Sequence, residues 1–161
     1  MKVFFIENKG ERKMKKTIGQ LVEAQEAIKA LMGQVLPLSV SYSVSECFRL
    51  IEPKAKFFEE KRTELFRMYG TPDAKDPNNL VIPPEKMQEF GAKLNELFSL
   101  EVSLDLLEID VEEILKMEEK DQKINIAPVH LLIIKKLFEK PIEEEIKEEL
   151  EKEIKDEQIG E

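Results

Sequence analysis

The sequence predicts a predominantly helical α+β fold, and two patterns lead to this class. Apolar residues recur at steps of three and four from Ser39 to Gly70, which is the rhythm of a long amphipathic helix. Apolar and polar residues alternate from Glu101 to Leu106, which is the rhythm of a half-buried strand. We therefore expect an antiparallel helical hairpin with further helices packed on a small two- or three-stranded sheet.

The first helix is expected to begin after Thr17, because a threonine at this position can cap the free amides of the first turn. Its apolar face runs from Ile18 to Val35, and Pro37 requires the helix to end before it. The connection that follows is short, which favours antiparallel packing of the first helix against the second.

The second helix is expected to begin between Ser39 and Ser43, since Ser43 and Glu46 have the spacing of a capping box. Pro53 removes a backbone hydrogen bond, so the sequence allows either one kinked helix or two helices that meet there. The phase of the apolar stripe continues across Pro53 and favours the kink. The stripe consists of Val44, Cys47, Phe48, Ile51, Ala55, Phe58, Arg62, Leu65 and Tyr69.

The remaining elements follow from the same periodicities and from turn residues. They are strands at Val3–Ile6, 80–82 and Lys123–Ile126, a helix opened by Pro84 with Met87, Phe90, Leu94, Leu97 and Phe98 on its face, a short helix from Val111 to Lys116 capped by Asp110, and a helix opened by Ala127 or Pro128. Phe58 and Phe90 are expected in the core.

Charge divides the 161 residues into a domain and two ends. Residues 1–13 are predicted to form a basic extension, residues 14–140 a single α+β domain, and residues 141–161 an acidic tail. Residues 139–161 carry eleven Asp or Glu against four Lys. Ile142, Ile146, Leu150 and Ile154 recur every four residues in this tail, which predicts a solvated helix or a partly disordered segment. The alternative is that residues 141–161 bind a partner.

Composition excludes several function classes. The formal net charge of −9 argues against general affinity for nucleic acid or anionic membranes, because both would repel the chain. Cys47 is the only cysteine, so an intrachain disulfide is excluded and a buried small hydrophobe is expected there. No apolar run approaches the length of a signal peptide or a membrane span. We expect a cytoplasmic protein.

The sequence shows no constellation for catalysis. His130 is the only histidine, and the common zinc, nucleophile and phosphate-loop motifs are missing. We therefore expect no cofactor, no metal site and no enzymatic activity. A carboxylate-based or metal-dependent enzyme built on Glu59, Glu60 and Glu64 is a minor alternative, since these residues also fit an ordinary charged helix face.

Arg62 occupies a stripe position between Phe58 and Leu65. Its stem can pack against apolar neighbours while its guanidinium pairs with Glu59, or the group can anchor a partner. The candidate partner contacts predicted from the sequence are Glu59, Arg62, Phe66, Ile146, Leu150 and Ile154.

Several segments occur in an order that resembles a known group of viral proteins. TIGQLVEAQEAIKALMGQVLP is followed by FFEEKRTELFRMYG, VIPPEKMQEFGAKLNELF, LEVSLDLLEI and INIAPVHLLIIKKLF, over Lys16 to about Phe138. This order resembles small uncharacterised proteins of tailed bacteriophages and prophages. The resemblance implies a phage or prophage origin, implies no activity and carries no functional residues to this chain. It also suggests that Met14 corresponds to the usual start.

These observations favour a non-enzymatic phage or prophage interaction protein that acts in assembly or in modulation of a host or viral machine. A protein partner is expected, and a homo-oligomer is compatible with the long apolar stripe of the second helix. The alternative is an acidic inhibitor that occupies a nucleic-acid-binding channel of a host enzyme, because the tail is dense in carboxylates. Direct nucleic-acid binding and membrane binding are not expected.

Overall fold

A computed structural model describes residues 12–119, 124–140 and 142–159. Over these ranges it contains six helices and two small antiparallel sheets, which confirms the predicted α+β class. The elements in chain order are β1 (Arg12–Thr17), α1 (Ile18–Met32), α2 (Leu38–Tyr69), β2 (Thr71–Pro72), β3 (Leu80–Val81), α3 (Pro84–Phe98), β4 (Glu101–Leu106), α4 (Val111–Glu119), α5 (Pro128–Phe138) and α6 (Ile142–Ile159).

Helix α1 begins as the sequence predicts. The Thr17 hydroxyl accepts a hydrogen bond from the Gln20 amide at 3.2 Å, and the Gln20 side chain accepts one from the Thr17 amide at 3.0 Å. This reciprocal capping box satisfies two amides at the N-terminus of the helix. The helix ends at Met32, before the predicted face is complete, and Val35 lies in the connection with 90% of its surface exposed.

Helix α2 is one continuous helix of 32 residues that passes through Pro53. Pro53 lies on an exposed side while Ile51 and Ala55 are buried, so the missing N–H falls where the helix faces water. The helix begins at Leu38, and Pro37 at its N-cap provides no side-chain hydrogen bond. The predicted start with a capping box at Ser43 is therefore wrong.

Strand β1 is an element that the sequence analysis missed. It pairs antiparallel with β4, with Met14 opposite Leu104 and Lys16 opposite Val102. The strand begins at Arg12, so the last two residues assigned to the basic extension belong to this sheet. The strand predicted for Val3–Ile6 lies outside the described residues.

A second, smaller sheet closes the loop after α2. The strand expected over 80–82 is present as β3, and it pairs with β2, which was not predicted. Two other predictions concern the region before α5. Asp110 caps α4 by accepting the Glu113 amide at 3.1 Å, as expected. Ile124–Ile126 do not form a strand, which corrects the prediction for that segment, and Lys123 lies outside the described residues.

The core lies where α1 packs between α2 and α5 and where the β1–β4 sheet contacts it. The fully buried large side chains are Ile18, Leu21, Ile28, Leu31, Val44, Cys47, Ile51, Leu106, Ile114 and Ile134. Phe58 and Phe90 are also buried, with 5% and 7% of their surface exposed, as expected. No helix in the described ranges is both long and apolar enough to cross a membrane.

Candidate docking surface

The last part of α2 extends beyond the core and packs along α3. Past Phe58, no described residue of α2 is buried, and Phe90 is the one buried residue of α3. Faces predicted to be buried are therefore partly open, and Met87 and Phe98 of α3 are 52% and 38% exposed. We call residues 57–69 of α2 together with α3 the arm.

Aromatic contacts fix the alignment of the two helices in the arm. The rings of Phe58 and Phe98 meet edge to face with centroids 5.3 Å apart, and those of Phe66 and Phe90 do so at 4.9 Å. Near the far end of α2, the Tyr69 hydroxyl donates a hydrogen bond to Glu89 at 2.8 Å. Residue numbers rise along α2 as they fall along α3, so the helices of the arm are antiparallel.

The arm ends in the β2–β3 hairpin. The Asp73 amide donates to the Asn79 carbonyl at 2.8 Å, and Asp76 accepts the Asn78 amide at 3.1 Å. The contact to the Asp76 carboxylate is an Asx interaction, which replaces a backbone hydrogen bond within the turn. Leu80 and Val81 in this hairpin are each about two-fifths exposed, so the tip of the arm also presents apolar surface.

An open groove of about 310 Å³ runs along one side of the arm between α2 and α3. Its floor is apolar, and its rim carries two lysines and two glutamates. Met68, Leu100 and Phe57 in the floor have 70%, 47% and 38% of their surface exposed. The floor consists of Phe57, Leu65, Met68, Leu97 and Leu100, and the rim of Lys61, Glu64, Lys93 and Glu96.

The rim charges pair along each helix. Lys61 bonds to Glu64 at 2.8 Å on α2, and Lys93 bonds to Glu96 at 3.2 Å on α3. The hydrogen bond to Glu96 raises the pKa of the Lys93 ammonium group. All four side chains are about half exposed or more, and pairs of this kind contribute little to stability because water screens them. Their charges remain accessible to another surface.

The ring contacts also set the level of each rim charge along the arm. Phe58 lies opposite Phe98, and Phe66 lies opposite Phe90. By the same count, Lys61 lies one residue from the level of Glu96, and Glu64 lies one residue from the level of Lys93. Charge therefore alternates in sign both along the groove and across it.

Three of the sequence-predicted contact residues lie on α2 in the arm, outside the groove lining. Arg62 bonds to Glu59 at 2.7 Å, and both side chains are about half exposed. Arg62 therefore forms the expected ion pair with Glu59, and the pair lies at the surface. Phe66 packs its ring on Phe90 and leaves 36% of its surface exposed.

The other three predicted contacts lie on α6. Ile146, Leu150 and Ile154 are each slightly more than half exposed. The described side chains around them, over 143–155, are exposed too, so α6 is a helix with an unpartnered apolar stripe in an acidic surface.

The basic strand β1 and the acidic helix α6 are neighbours in the fold. Arg12 donates a hydrogen bond to the Phe138 carbonyl at 2.5 Å, which holds the start of β1 against the end of α5. Burial and the charge of Arg12 lower the pKa of Lys16, while Glu144 of α6 acts in the opposite direction. A hydrogen bond from Lys140 at 2.6 Å lowers the pKa of Glu148. The opposite charges of β1 and α6 partly neutralise each other within the chain.

The structure also describes the surroundings of Glu59, Glu64 and His130, which were considered for catalysis, and of the single cysteine. Glu59 and Glu64 are held in ion pairs with Arg62 and Lys61. Cys47 donates a hydrogen bond to the Leu107 carbonyl at 3.0 Å, and burial raises the pKa of its thiol to about 12. The buried Nδ1 of His130 has no hydrogen-bond partner in the described part of the chain.

Within residues 12–119, 124–140 and 142–159, no group of three or more His, Cys, Asp or Glu side chains is placed so that it could hold a metal ion.

None of the groove residues is among the partner contacts predicted from the sequence, although Leu65 and Leu97 were placed on the apolar faces of their helices. Phe57 and Met68 each stand one position beside a residue of the predicted stripe, Phe58 and Tyr69. Apolar residues just off a stripe widen the apolar face of a helix, and that signal marks a second contact surface on α2.

Comparison of the chain with known protein families, with curated proteins and with solved structures finds no match in any of the three.

Proposed function

We propose that the protein is a non-enzymatic interaction protein of a phage or prophage, that it acts in assembly or in modulation of a host or viral machine, and that it contacts its partner through the groove of the arm. The groove is the observation that carries this proposal. The phage or prophage origin rests on the sequence resemblance over Lys16 to about Phe138.

The groove has the layout of a protein interface. Interfaces combine an apolar centre with a polar rim, and large contiguous apolar patches on a protein surface mark contact sites. The floor from Phe57 to Met68 covers twelve residues of helix, and the two ends lie about 16 Å apart along the axis at a rise of 1.5 Å per residue. This length suits a partner that presents an apolar helical face of about three turns.

The test compares two variants of the full chain that carry the same chemical change. Met68→Glu places a charge in the floor of the groove, and Met87→Glu places one on an exposed side of α3 outside the groove. Proteins captured by the wild type and by each variant, from host lysate that also contains the isotope-labelled wild-type chain, are quantified by mass spectrometry at low and moderate salt. We expect the captured partner to be lost with Met68→Glu and retained with Met87→Glu at both salt concentrations.

Equal capture by both variants would contradict the groove as the contact surface. Circular dichroism and thermal unfolding should show both variants folded, because Met68 and Met87 are more than half exposed. Loss of the partner can then be assigned to the groove and not to unfolding.

The acidic surface of α6 supports the second candidate function, an inhibitor that occupies a nucleic-acid-binding channel of a host enzyme. Residues 143–155 carry seven glutamates against three lysines, all exposed, so the helix could follow a basic channel. Binding of this kind weakens steeply with salt. Deletion of residues 141–161 should then abolish capture of the enzyme, whereas capture through the groove should survive the deletion.

A further inference from the structure

We propose that the partner in the groove is the same groove of a second copy of this chain, which gives a two-fold symmetric dimer joined arm to arm. This inference rests on the proposed function, because it takes the groove as the contact surface and names its occupant. The occupant follows from the arrangement of the four rim charges.

A two-fold contact places one patch on an identical patch, so the patch must be complementary to itself. The rim holds two lysines and two glutamates and is therefore neutral in total, although the whole chain carries a formal charge of −9. The exposed face of α6 fails this requirement. Its residues 143–155 carry a net charge of −4, and two copies of it would repel each other.

Neutrality is necessary but does not by itself produce attraction, which depends on where the charges lie. Two grooves can meet face to face about a two-fold axis that lies in the interface, either along the arm or across it. With the axis along the arm, α2 of one copy covers α3 of the other at the same level. Lys61 then faces Glu96 of the second copy, and Glu64 faces Lys93.

With the axis across the arm, α2 covers α2 of the second copy in the opposite direction. Lys61 then faces Glu64 of that copy, and on α3 Lys93 faces Glu96. Both arrangements bring every rim charge to an opposite charge. The axis along the arm also places Phe57 near the level of Leu100 of the second copy, and the axis across the arm places Phe57 opposite Met68 of that copy, so apolar burial and charge pairing act together.

Two double variants test this charge pattern in the full chain. K61E with K93E makes the rim entirely acidic, and E64K with E96K makes it entirely basic. The oligomeric state is measured by sedimentation equilibrium and native mass spectrometry up to high micromolar concentration. We expect the wild type to dimerise and each double variant to dissociate with a dimer dissociation constant raised about tenfold or more, since four opposite-charge contacts become like-charge contacts.

An equimolar mixture of the acidic and basic variants should recover a mixed dimer, because every like-charge contact becomes an attractive one again. Salt adds an independent readout. Raising the ionic strength should strengthen self-association of each double variant, by screening repulsion, and should not strengthen that of the wild type. The control K56E with K86E makes the same charge change at residues of α2 and α3 outside the groove lining and should dimerise like the wild type.

A monomeric wild type at all concentrations would overturn the dimer. Wild-type behaviour of both double variants, or failure of the mixture to form a mixed dimer, would overturn it as well. These failures are separate from failure of the proposed function. If Met68→Glu abolishes capture of a different protein while the wild type is monomeric, the groove remains the contact surface and its occupant is that protein.

Discussion

Gly19 of α1 shows how one residue allows the end of α3 to pack on the core of the protein. A Cβ atom at Gly19 would collide with the Phe98 ring at Cδ1 and Cε1, so the absent side chain leaves the space into which α3 packs. The Phe98 ring in turn packs edge to face on Phe58. The contact therefore joins α1, α2 and α3.

Two glycine-to-alanine substitutions should change the free energy of unfolding in opposite directions. Gly19→Ala should lower the free energy of unfolding by about 1–3 kcal/mol, because the aromatic ring must move. Gly91→Ala should raise it by about 0.5–1 kcal/mol, because no atom lies within 4 Å of the new Cβ and alanine favours the helix. Urea unfolding of both variants measures the difference. Equal stability of the two would contradict the packing of α3 described for Gly19.

The thiol of Cys47 should make stability depend on alkaline pH. Burial raises its pKa from 9.0 to about 12, so between these values the unfolded chain loses the proton and the folded chain keeps it. The contribution is complete below pH 9, and it is lost progressively as the pH rises toward 12. Urea unfolding at about pH 8 and about pH 11 should show a loss that is steeper in the wild type than in Cys47→Ser, by about 1 kcal/mol per pH unit. Identical pH dependence would contradict this burial.

At the scale of elements, periodicity predicted which segments are helical, but it did not predict how much of each apolar face other elements bury. The stripe of α2 keeps its phase from Val44 to Tyr69, although the core covers it only as far as Phe58. An apolar stripe indicates a helix face that another element can bury, but it does not indicate how far along the helix the fold buries that face. The groove lies where that cover is incomplete.

Strand β1 was missed for a different physical reason. Its sequence RKMKKT has one large apolar residue, Met14, so the alternation that marks a half-buried strand is hardly visible. It becomes a strand because β4 offers a complete antiparallel ladder, and such a non-local pairing overrides weak local preference.

Removal of α6 should hardly change the stability of the rest of the protein. Three apolar residues of α6, Ile146, Leu150 and Ile154, are more than half exposed, and the Lys140–Glu148 ion pair is at the surface. Deletion of residues 141–161 should therefore lower the free energy of unfolding by less than about 1 kcal/mol. Leu137→Ala in α5 removes a buried side chain and should cost about 2–5 kcal/mol. Urea unfolding of both variants compares them.

A loss in the α6 deletion as large as that of Leu137→Ala would show that the stripe of α6 is covered in solution. Far-UV circular dichroism should at the same time show the loss of one helix of 18 residues.

At the scale of the whole molecule, the free energy of local opening should be highest in the core helix α1, lower in the arm and lowest in α6. Helix α1 has seven buried residues and packs between α2 and α5, whereas α3 has one. The free energy of local opening rises with the apolar surface that an element buries. Amide hydrogen exchange should therefore be slowest in α1, faster in α3 and fastest in α6.

The K61E/K93E variant is the appropriate chain for this measurement, because its acidic rim disfavours contact with a second copy and leaves the arm uncovered. Small amounts of urea should accelerate exchange in α1 strongly, since its amides exchange through global unfolding, and in α3 weakly, since it opens locally. Exchange of α3 at the rate and urea dependence of α1 would show that arm and body unfold as one unit. In the wild type, protection of both α3 and α1 should rise with protein concentration, because a second copy covers the arm and dimerisation also stabilises the folded chain against global unfolding.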